Sequence, residues 1–223
     1  MNKGQQFWHE LWSSGQISFH QQEINPDLKT FWPQLNSPVP SHVFVPLCGK
    51  SLDMLWLLDQ GNQVTGIELS ELAVEQFMAE NNLSLTREIH EQHLCYRREN
   101  LCIWVADIFT FNTALIAPVT LIYDRASLIA LPELLRKPYV QFCLDVLKSD
   151  GQILLKTLDG GNKHVQGPPY RVTAGEVAQL YQSCERHLLT ANKSSRGENE
   201  VFRSAGINEV LDTVWVITKR FRK

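Results

Sequence analysis

The feature that most constrains the fold is a strand, turn, helix and strand pattern in the first third of the chain. An apolar, β-branched run leads into a tight turn with a single glycine, VFVPLCGKSLD (Val43–Asp53). An amphipathic helix follows, and a second apolar run, VTGIELS (Val64–Ser70), contains an acid at its end. This order predicts a βαβ unit of a doubly wound α/β fold. Because ligands of such folds lie at the carboxyl ends of the strands, we expect the functional site there.

Strand and helix patterns keep alternating after this unit, which predicts one doubly wound, mostly parallel α/β domain over residues 1–223. A hydrophobic fraction of 43% is enough for one such core. We expect Pro138 to start the helix after the fourth strand, because proline is tolerated in a first turn. Seven strands are predicted, at residues 43–46, 63–68, 101–105, 119–124, 152–158, 187–191 and 212–219.

Residues 1–42 differ from the rest, since aromatic residues and then prolines dominate them. Trp8 and Trp12 fall on neighbouring turns of a predicted helix, which Gly15 is expected to end. Two interpretations remain open at this point. The segment is either a helix packed on a sheet edge or an aromatic helical lid over a ligand, with Trp12 and Phe19 inside.

Charge and composition argue against several classes of partner. The formal net charge is −3, whereas a nucleic-acid-binding domain is typically basic, so we expect no nucleic acid partner. No apolar run reaches the length of a membrane-spanning helix, and no membrane association is expected. The five cysteines form no Cys-x-x-Cys pair, which favours a reduced, cytoplasmic protein.

Acidic residues follow two of the predicted strands. Glu68 comes about 20 residues after Gly49, the spacing at which an acid binds ribose hydroxyls in nucleotide-binding folds; the alternative is a helix cap or a solvated charge. Asp107 follows the third strand, where an acid can accept a hydrogen bond from an adenine amine while Ile108 packs on the ring. The alternative for Asp107 is a plain helix cap.

The turn itself limits what the crevice can hold. A phosphate-binding loop needs a glycine five residues before its Gly-Lys pair, and Phe44 stands at that position. One glycine also exposes little backbone to a pyrophosphate. S-adenosylmethionine (AdoMet) is a nucleoside with an amino-acid tail and no phosphate, so a one-glycine turn suffices, with the Leu47 backbone meeting the tail. The sequence therefore predicts AdoMet as the cofactor.

Other kinds of site find less support. His90, His93 and Cys95 resemble metal ligands, but zinc sites need three or four ligands at set spacing and no partner cluster follows, so no metal site is predicted. No G-x-S-x-G segment is present, which argues against an acyl-transfer triad. Arg125 lies just beyond the fourth strand, where it can bind a carboxylate or an anionic substrate; the alternative is a surface salt bridge.

Four segments together resemble the thiopurine S-methyltransferase family, in particular its bacterial branch: FWHELW…GQISFHQ, VFVPLCGKSLDM, GIELS and YDRASLIAL. The resemblance runs over nearly the whole chain. It implies a class I AdoMet-dependent methyltransferase fold, Rossmann-like, in a cytoplasmic monomer. It also implies that the cofactor contacts are Trp12, Leu47, Glu68 and Arg125, that Trp8 and Phe19 lie near cofactor and substrate, and that Arg203 is the nearest candidate for a basic residue on the substrate side.

The resemblance implies direct transfer of the methyl group to the sulfur of an aromatic or heterocyclic thiol, such as a thiopurine. A heteroaromatic thiol is substantially ionised near neutral pH, so no strong base is required. We expect Arg125 to stabilise the anionic acceptor, and Phe19 with the Gly160–Pro169 loop to enclose its ring. Two alternatives remain: methylation of selenium or tellurium species, small thiols or halide, and a non-catalytic AdoMet- or nucleotide-binding regulator.

Overall fold

The computed structural model describes residues 3–36, 38–116, 118–159, 167–194, 203–204, 206–207 and 209–220. Its strands are β1 (His42–Pro46), β2 (Gln63–Glu68), β3 (Thr86–His90), β4 (His93–Arg98), β5 (Leu101–Val105), β6 (Val119–Asp124), β7 (Leu147–Asp159), β8 (Cys184–Lys193) and β9 (Leu211–Lys219). Its α-helices are α1 (Lys3–Ser14), α2 (Pro26–Phe31), α3 (Asp53–Asp59), α4 (Glu71–Glu80), α5 (Glu133–Val146) and α6 (Ala174–Leu180). Short 3₁₀ turns lie at Trp32–Gln34, Thr113–Leu115 and Leu128–Ala130.

All these strands form one sheet in the order β3-β4-β5-β2-β1-β6-β7-β9-β8. The five central strands are parallel to one another. Antiparallel pairs complete both edges, β3 with β4 on one side and β9 with β8 on the other. The chain first builds outward from β1 to β2 and then returns to place β6 on the other side of β1. The predicted doubly wound α/β arrangement is confirmed, and its switch point lies at β1.

The predicted number of seven strands is wrong, because the described residues form nine. The two additional strands are the β3–β4 hairpin. Four of the five residues of β3 are exposed, so the strand lacks the alternation of apolar and polar residues by which a half-buried strand is recognised. Its turn holds Glu91 at a φ of +56° in place of the usual glycine or asparagine. The side chains of β3 therefore do not predict a strand, and the segment becomes one through backbone pairing at the edge of the sheet.

The predicted helix start at Pro138 is also wrong. The helix α5 begins at Glu133, and Pro138 lies inside it, on its exposed side. A proline there removes one helical hydrogen bond to the carbonyl of Leu134. Because that side of the helix faces solvent, water can satisfy this carbonyl, and packing of the opposite face keeps the helix continuous.

The sheet is buried on both faces. In β1, Phe44 belongs to one apolar cluster, whereas Val43 and Val45 belong to another. Because successive side chains of a strand point to opposite faces, the two clusters are layers on either side of the sheet. The N-terminal segment contributes to the second layer through Leu28 of α2, which is fully buried. In the described part of the chain, no helix has both the length and the apolar character needed to cross a membrane.

Candidate active site

The turn after β1 bends sharply at two residues. Leu47 and Gly49 both have left-handed backbone conformations, with φ of +46° and +52°. That conformation is uncommon for leucine and is typical of strained positions near functional sites. The N–H of Cys48, between them, donates to the carbonyl of Ile67 at 3.0 Å. The turn is thereby fixed against the carboxyl end of β2.

Glu68 links this turn to the start of α4. Its Oε2 accepts a hydrogen bond from the N–H of Gly49 at 2.8 Å, and its Oε1 accepts one from the N–H of Ser70 at 2.8 Å. Only 6% of the residue is exposed. Burial raises the pKa of Glu68, and the hydrogen bonds from Ser70 and Gly49 oppose this rise. Each oxygen keeps a second lone pair, so the carboxylate can still accept from a ligand hydroxyl.

The aromatic residues of the N-terminal segment lie over the same turn. A Cβ atom added to Gly49 would be 3.1 Å from Cζ2 of Trp12, so the indole ring sits directly against the glycine. Trp12 is buried, and its ring contacts Phe19 edge-to-face with centroids 5.5 Å apart. Phe19 contacts Trp8 in the same way at 5.6 Å. Trp12 and Phe19 thus lie together over the turn, and the lid over a ligand stays a prediction.

Arg125 lies in the loop after β6 and is buried, with 8% of its side chain exposed. Its Nε donates to Oδ2 of Asp53 at 2.9 Å, and its Nη2 donates to Oγ of Ser51 at 3.4 Å. Its Nη1 is buried and has no hydrogen-bond partner among the described residues. The ion pair is therefore buried, unlike the surface salt bridge left open by the sequence, and it leaves Nη1 available to a ligand.

Asp53 is a further residue of this site, and nothing in the sequence predicts a role for it. The residue begins α3 and is 1% exposed on its side chain. Its Oδ1 accepts from the N–H of Asn25 at 2.8 Å, and its Oδ2 accepts from the hydroxyl of Tyr123 at 3.1 Å as well as from Arg125. An aspartate in the first turn of a helix commonly balances the helix dipole, so the sequence contained no signal for this contact.

Comparison with known proteins identifies the family. A sequence profile described as Thiopurine S-methyltransferase (TPMT) matches residues 3–220. A thiopurine S-methyltransferase of Legionella pneumophila (strain Corby) is 50% identical over 220 residues, covering 98% of this chain and 100% of that protein. Another, of Vibrio cholerae serotype O1 (strain M66-2), is 39% identical over 215 residues, covering 96% and 97%. The chain belongs to the thiopurine S-methyltransferase family.

Solved structures share the fold at low sequence identity. A 1,6-didemethyltoxoflavin-N1-methyltransferase of Burkholderia thailandensis, solved with 1,6-didemethyltoxoflavin and S-adenosylhomocysteine, aligns with a TM-score of 0.68 at 14% identity, covering 97% of this chain and 87% of that one. TehB of Haemophilus influenzae aligns with a TM-score of 0.60 at 14% identity, covering 90% and 64%. The predicted family, methyltransferase class, fold and AdoMet dependence are confirmed.

Three features of the site suit the AdoMet of a thiopurine S-methyltransferase. Glu68 presents acceptor oxygens at the end of β2, and the bare backbone of Gly49 lies beside it. Arg125 lies next to this turn, because its Nη2 donates to Oγ of Ser51 at 3.4 Å, and its positive charge suits a site that holds an anionic group. The residues present therefore fit the cofactor.

The positions predicted for adenine binding have other partners in the structure. Oδ1 of Asp107 accepts from the N–H of Phe109 at 3.0 Å, which closes a turn rather than capping a helix, because no helix begins at this point of the described chain. Its Oδ2 accepts from Nε2 of Gln5 in α1 at 2.7 Å. Ile108 is 2% exposed and packs within the core. Adenine recognition by Asp107 and Ile108 stays a prediction.

Two predicted elements of the substrate side are only partly covered by the structure. Arg203 is exposed. Residues 195–202 before it and residue 205 after it lie outside the described ranges. In the Gly160–Pro169 loop, residues 160–166 also lie outside them. The roles of Arg203 and of this loop remain predictions.

Further ionisable residues surround Arg125, and the sequence did not single them out. Burial lowers the pKa of His20, with Lys50 and Arg125 lowering it further and Glu80 and Asp53 opposing. Nζ of Lys50 lies 2.6 Å from Oε1 of Glu80. Lys50 thereby ties the turn after β1 to the end of α4.

Two of the three candidate metal ligands of the hairpin, His90 and Cys95, come together with Glu88, which the sequence did not suggest, whereas His93 is not in this group. Ligand atoms of Glu88, His90 and Cys95 all lie within 4.8 Å of one another. Oε2 of Glu88 is 2.8 Å from Nε2 of His90 and 3.8 Å from Nε of Arg97. The guanidinium competes with a cation for this carboxylate, and the absence of a bound metal stays a prediction.

Proposed function

We propose that this family member methylates the sulfur of aromatic or heterocyclic thiols, with thiopurines such as 6-mercaptopurine as substrates, in the crevice at β1, β2 and β6. The observation that supports this most is the buried Nη1 of Arg125, which has no hydrogen-bond partner among the described residues. A buried charged donor without a partner is costly, so a negatively charged ligand is favoured there. A thiolate supplies that charge.

The cofactor is held by the residues around the β1 turn. Glu68 accepts hydrogen bonds from the ribose hydroxyls, and the backbone of Leu47 and Gly49 faces the amino-acid tail. Trp8 and Trp12 cover the site from α1 and exclude water. Asp107 and Ile108 bind the adenine. For this, Asp107 replaces the hydrogen bond that it accepts from Gln5 by one from the adenine amine. AdoMet supplies a methyl group on a positively charged sulfur.

The protein contributes alignment and charge to the transfer. Arg125 donates a hydrogen bond from Nη1 to the anionic acceptor and so stabilises the ionised thiol. Phe19, Arg203 and the Gly160–Pro169 loop enclose the acceptor ring. Holding donor and acceptor in line can lower the barrier by up to roughly 7–11 kcal/mol, so a side-chain base is not needed for an already acidic thiol.

The wider setting is a small-molecule enzyme that works as a cytoplasmic monomer without nucleic acid. All five cysteines are unpaired, which supports a reducing compartment. The net charge of −3 supports the exclusion of nucleic acid.

Product analysis tests the proposal. The protein is incubated with AdoMet and either 6-mercaptopurine or selenite, and methylated products are identified by mass spectrometry. We expect S-methylated mercaptopurine, with kcat/KM reduced in Arg125→Ala. If only selenium is methylated, the substrates are inorganic acceptors and the proposal is wrong. AdoMet binding without any product would indicate a regulator.

A further inference from the structure

Asp53 is held rigidly at the centre of the site. Its carboxylate accepts from the N–H of Asn25, at the start of α2, and from the hydroxyl of Tyr123, at the end of β6. Both distances, 2.8 and 3.1 Å, are those of ordinary hydrogen bonds. Because these donors belong to the N-terminal segment and to the sheet, the carboxylate cannot turn freely. The hydrogen bonds from Asn25 and Tyr123 therefore hold the carboxylate in place independently of Arg125.

This fixed carboxylate orients the guanidinium of Arg125. A guanidinium is planar, so a hydrogen bond at Nε and a second contact at Nη2 set both its place and its plane. Asp53 takes the first at 2.9 Å and Ser51 the second at 3.4 Å. Among the described residues, Nη1 is then left without a hydrogen-bond partner although it is buried.

The free donor has a consequence for the ligand. An arginine that grips a carboxylate usually does so through two parallel N–H bonds. Here Asp53 and Ser51 already engage Nε and Nη2, so Nη1 is the nitrogen of the fork that has no partner among the described residues. The N–H groups of Nη1 can donate to the ionised sulfur of an acceptor thiol.

We propose that Asp53 is a positioning residue for methyl transfer. It fixes Arg125 so that Nη1 alone meets the negatively charged sulfur of the acceptor, and it balances the charge of the buried guanidinium. The inference rests on the proposed function, because it needs Arg125 to contact the acceptor. A merely structural Asp53 would instead tie Asn25 to α3 without influencing what Arg125 does.

A double-mutant cycle separates these two roles. kcat/KM for 6-mercaptopurine is measured for the wild type, Asp53→Asn, Arg125→Ala and the double variant, with the folded fraction checked by circular dichroism. We expect each single variant to lose roughly ten- to a hundredfold, the loss that follows removal of one charged hydrogen bond. We expect the double variant to match Arg125→Ala within about twofold, because Asp53 then has nothing to position.

Asp53→Glu serves as the conservative variant, since it retains the carboxylate. It should recover most of the activity that Asp53→Asn loses. Independent, multiplying losses in the double variant would overturn the positioning role, and so would full activity of folded Asp53→Asn. If the wild type methylates no thiol, the proposed function fails as well. If the wild type methylates the thiol and Asp53→Asn leaves kcat/KM unchanged, the positioning role alone fails.

Arg125→Lys provides an arm that does not depend on the folding of Asp53→Asn. A lysine keeps the charge and can pair with Asp53, but it has no planar fork with a separate donor for the acceptor. We expect kcat/KM of Arg125→Lys to be as low as that of Arg125→Ala, to within about twofold, which is the precision of such a comparison. Wild-type activity in Arg125→Lys would show that a point charge suffices, and the positioning role of Asp53 would be wrong.

Discussion

At the scale of single residues, the site depends on the turn after β1. In this turn a single glycine provides the left-handed backbone and the close approach for which phosphate-binding loops use several glycines. Gly49 combines a left-handed backbone with close contact to the Trp12 ring. Its N–H also donates to Glu68. The left-handed backbone and the contact with Trp12 therefore favour a residue without a side chain at this position, and the hydrogen bond fixes its backbone against Glu68.

Gly49→Ala is expected to lower the free energy of unfolding by about 1–2 kcal/mol, the cost of a left-handed backbone for a residue with a Cβ. It should also weaken binding of S-adenosylhomocysteine, because the added methyl group displaces Trp12. Chemical denaturation and calorimetric titration measure the two effects.

The matched control is Gly175→Ala in α6. A Cβ there has Thr173 Oγ1 as its nearest contact, at 3.8 Å, and the backbone is not left-handed. Alanine is favoured over glycine in helices, so stability should rise by roughly 0.5–1 kcal/mol. Equal effects of the two substitutions would contradict the special role of Gly49.

Residue types and spacing were sufficient to predict part of this site. The interval between Gly49 and Glu68 predicted a ribose-binding acid beside the turn, and Glu68 does lie there, where it accepts from the N–H of Gly49; the contact with ribose stays a prediction. Asp53 was missed, because its partners Asn25 and Tyr123 come from distant parts of the chain. Contacts of this kind depend on how the elements pack, which a single sequence does not reveal.

At the scale of elements, the end of β6 contains a second buried carboxyl group. Oδ1 of Asp124 accepts from the N–H of Leu128, and Oδ2 accepts from the hydroxyl of Tyr139 in α5. Burial raises the pKa of Asp124 to about 6 from an ordinary value of 3.8, and the hydrogen bonds from Tyr139 and Leu128 oppose the rise. The group thus joins the strand, the following turn and the helix.

This raised pKa predicts a pH dependence of stability with a defined sign. The folded state binds the proton more tightly than the unfolded state, so the contribution of Asp124 is fully present below pH 3.8 and is lost as pH rises through about 6. Between these limits the wild type should lose on the order of 1–3 kcal/mol relative to Asp124→Asn, which cannot ionise. Chemical denaturation of both proteins across this range measures the difference, and parallel pH profiles would contradict it.

Helix α5 allows a prediction about Pro138. The sequence led to the expectation of a helix start there, since proline in a helix interior is rare, whereas the helix runs through it from Glu133. Pro138→Ala should restore one backbone hydrogen bond on the exposed side and raise the free energy of unfolding by up to about 3 kcal/mol. Urea denaturation checks this, and an unchanged or lower midpoint would show that the proline fits the helix without strain.

The elements that were predicted and the pair that was missed differ in burial. The central parallel strands are buried over most of their length and contain apolar runs, and these runs with the helical periodicity between them identified the strands. The β3 strand of the hairpin is mostly exposed and polar, and its turn lacks glycine. Pairing with a neighbouring strand, which local sequence does not encode, makes it part of the sheet.

At the scale of the whole molecule, three distant segments converge on the switch point of the sheet. The turn after β1 and the end of β2 supply Gly49 and Glu68, and the loop after β6 supplies Arg125. The N-terminal segment covers them through Trp12 and reaches Asp53 through Asn25. This convergence is the basis for placing both cofactor and acceptor in one crevice.

Calorimetric titration with S-adenosylhomocysteine, on the wild type and on Glu68→Gln with its fold confirmed by circular dichroism, tests the assignment of this crevice most directly. We predict one binding site in the wild type and an affinity reduced by roughly ten- to a hundredfold in the variant, since one charged hydrogen-bonding group is lost. Equal affinities, or no binding by the wild type, would contradict the placement of the cofactor at Glu68.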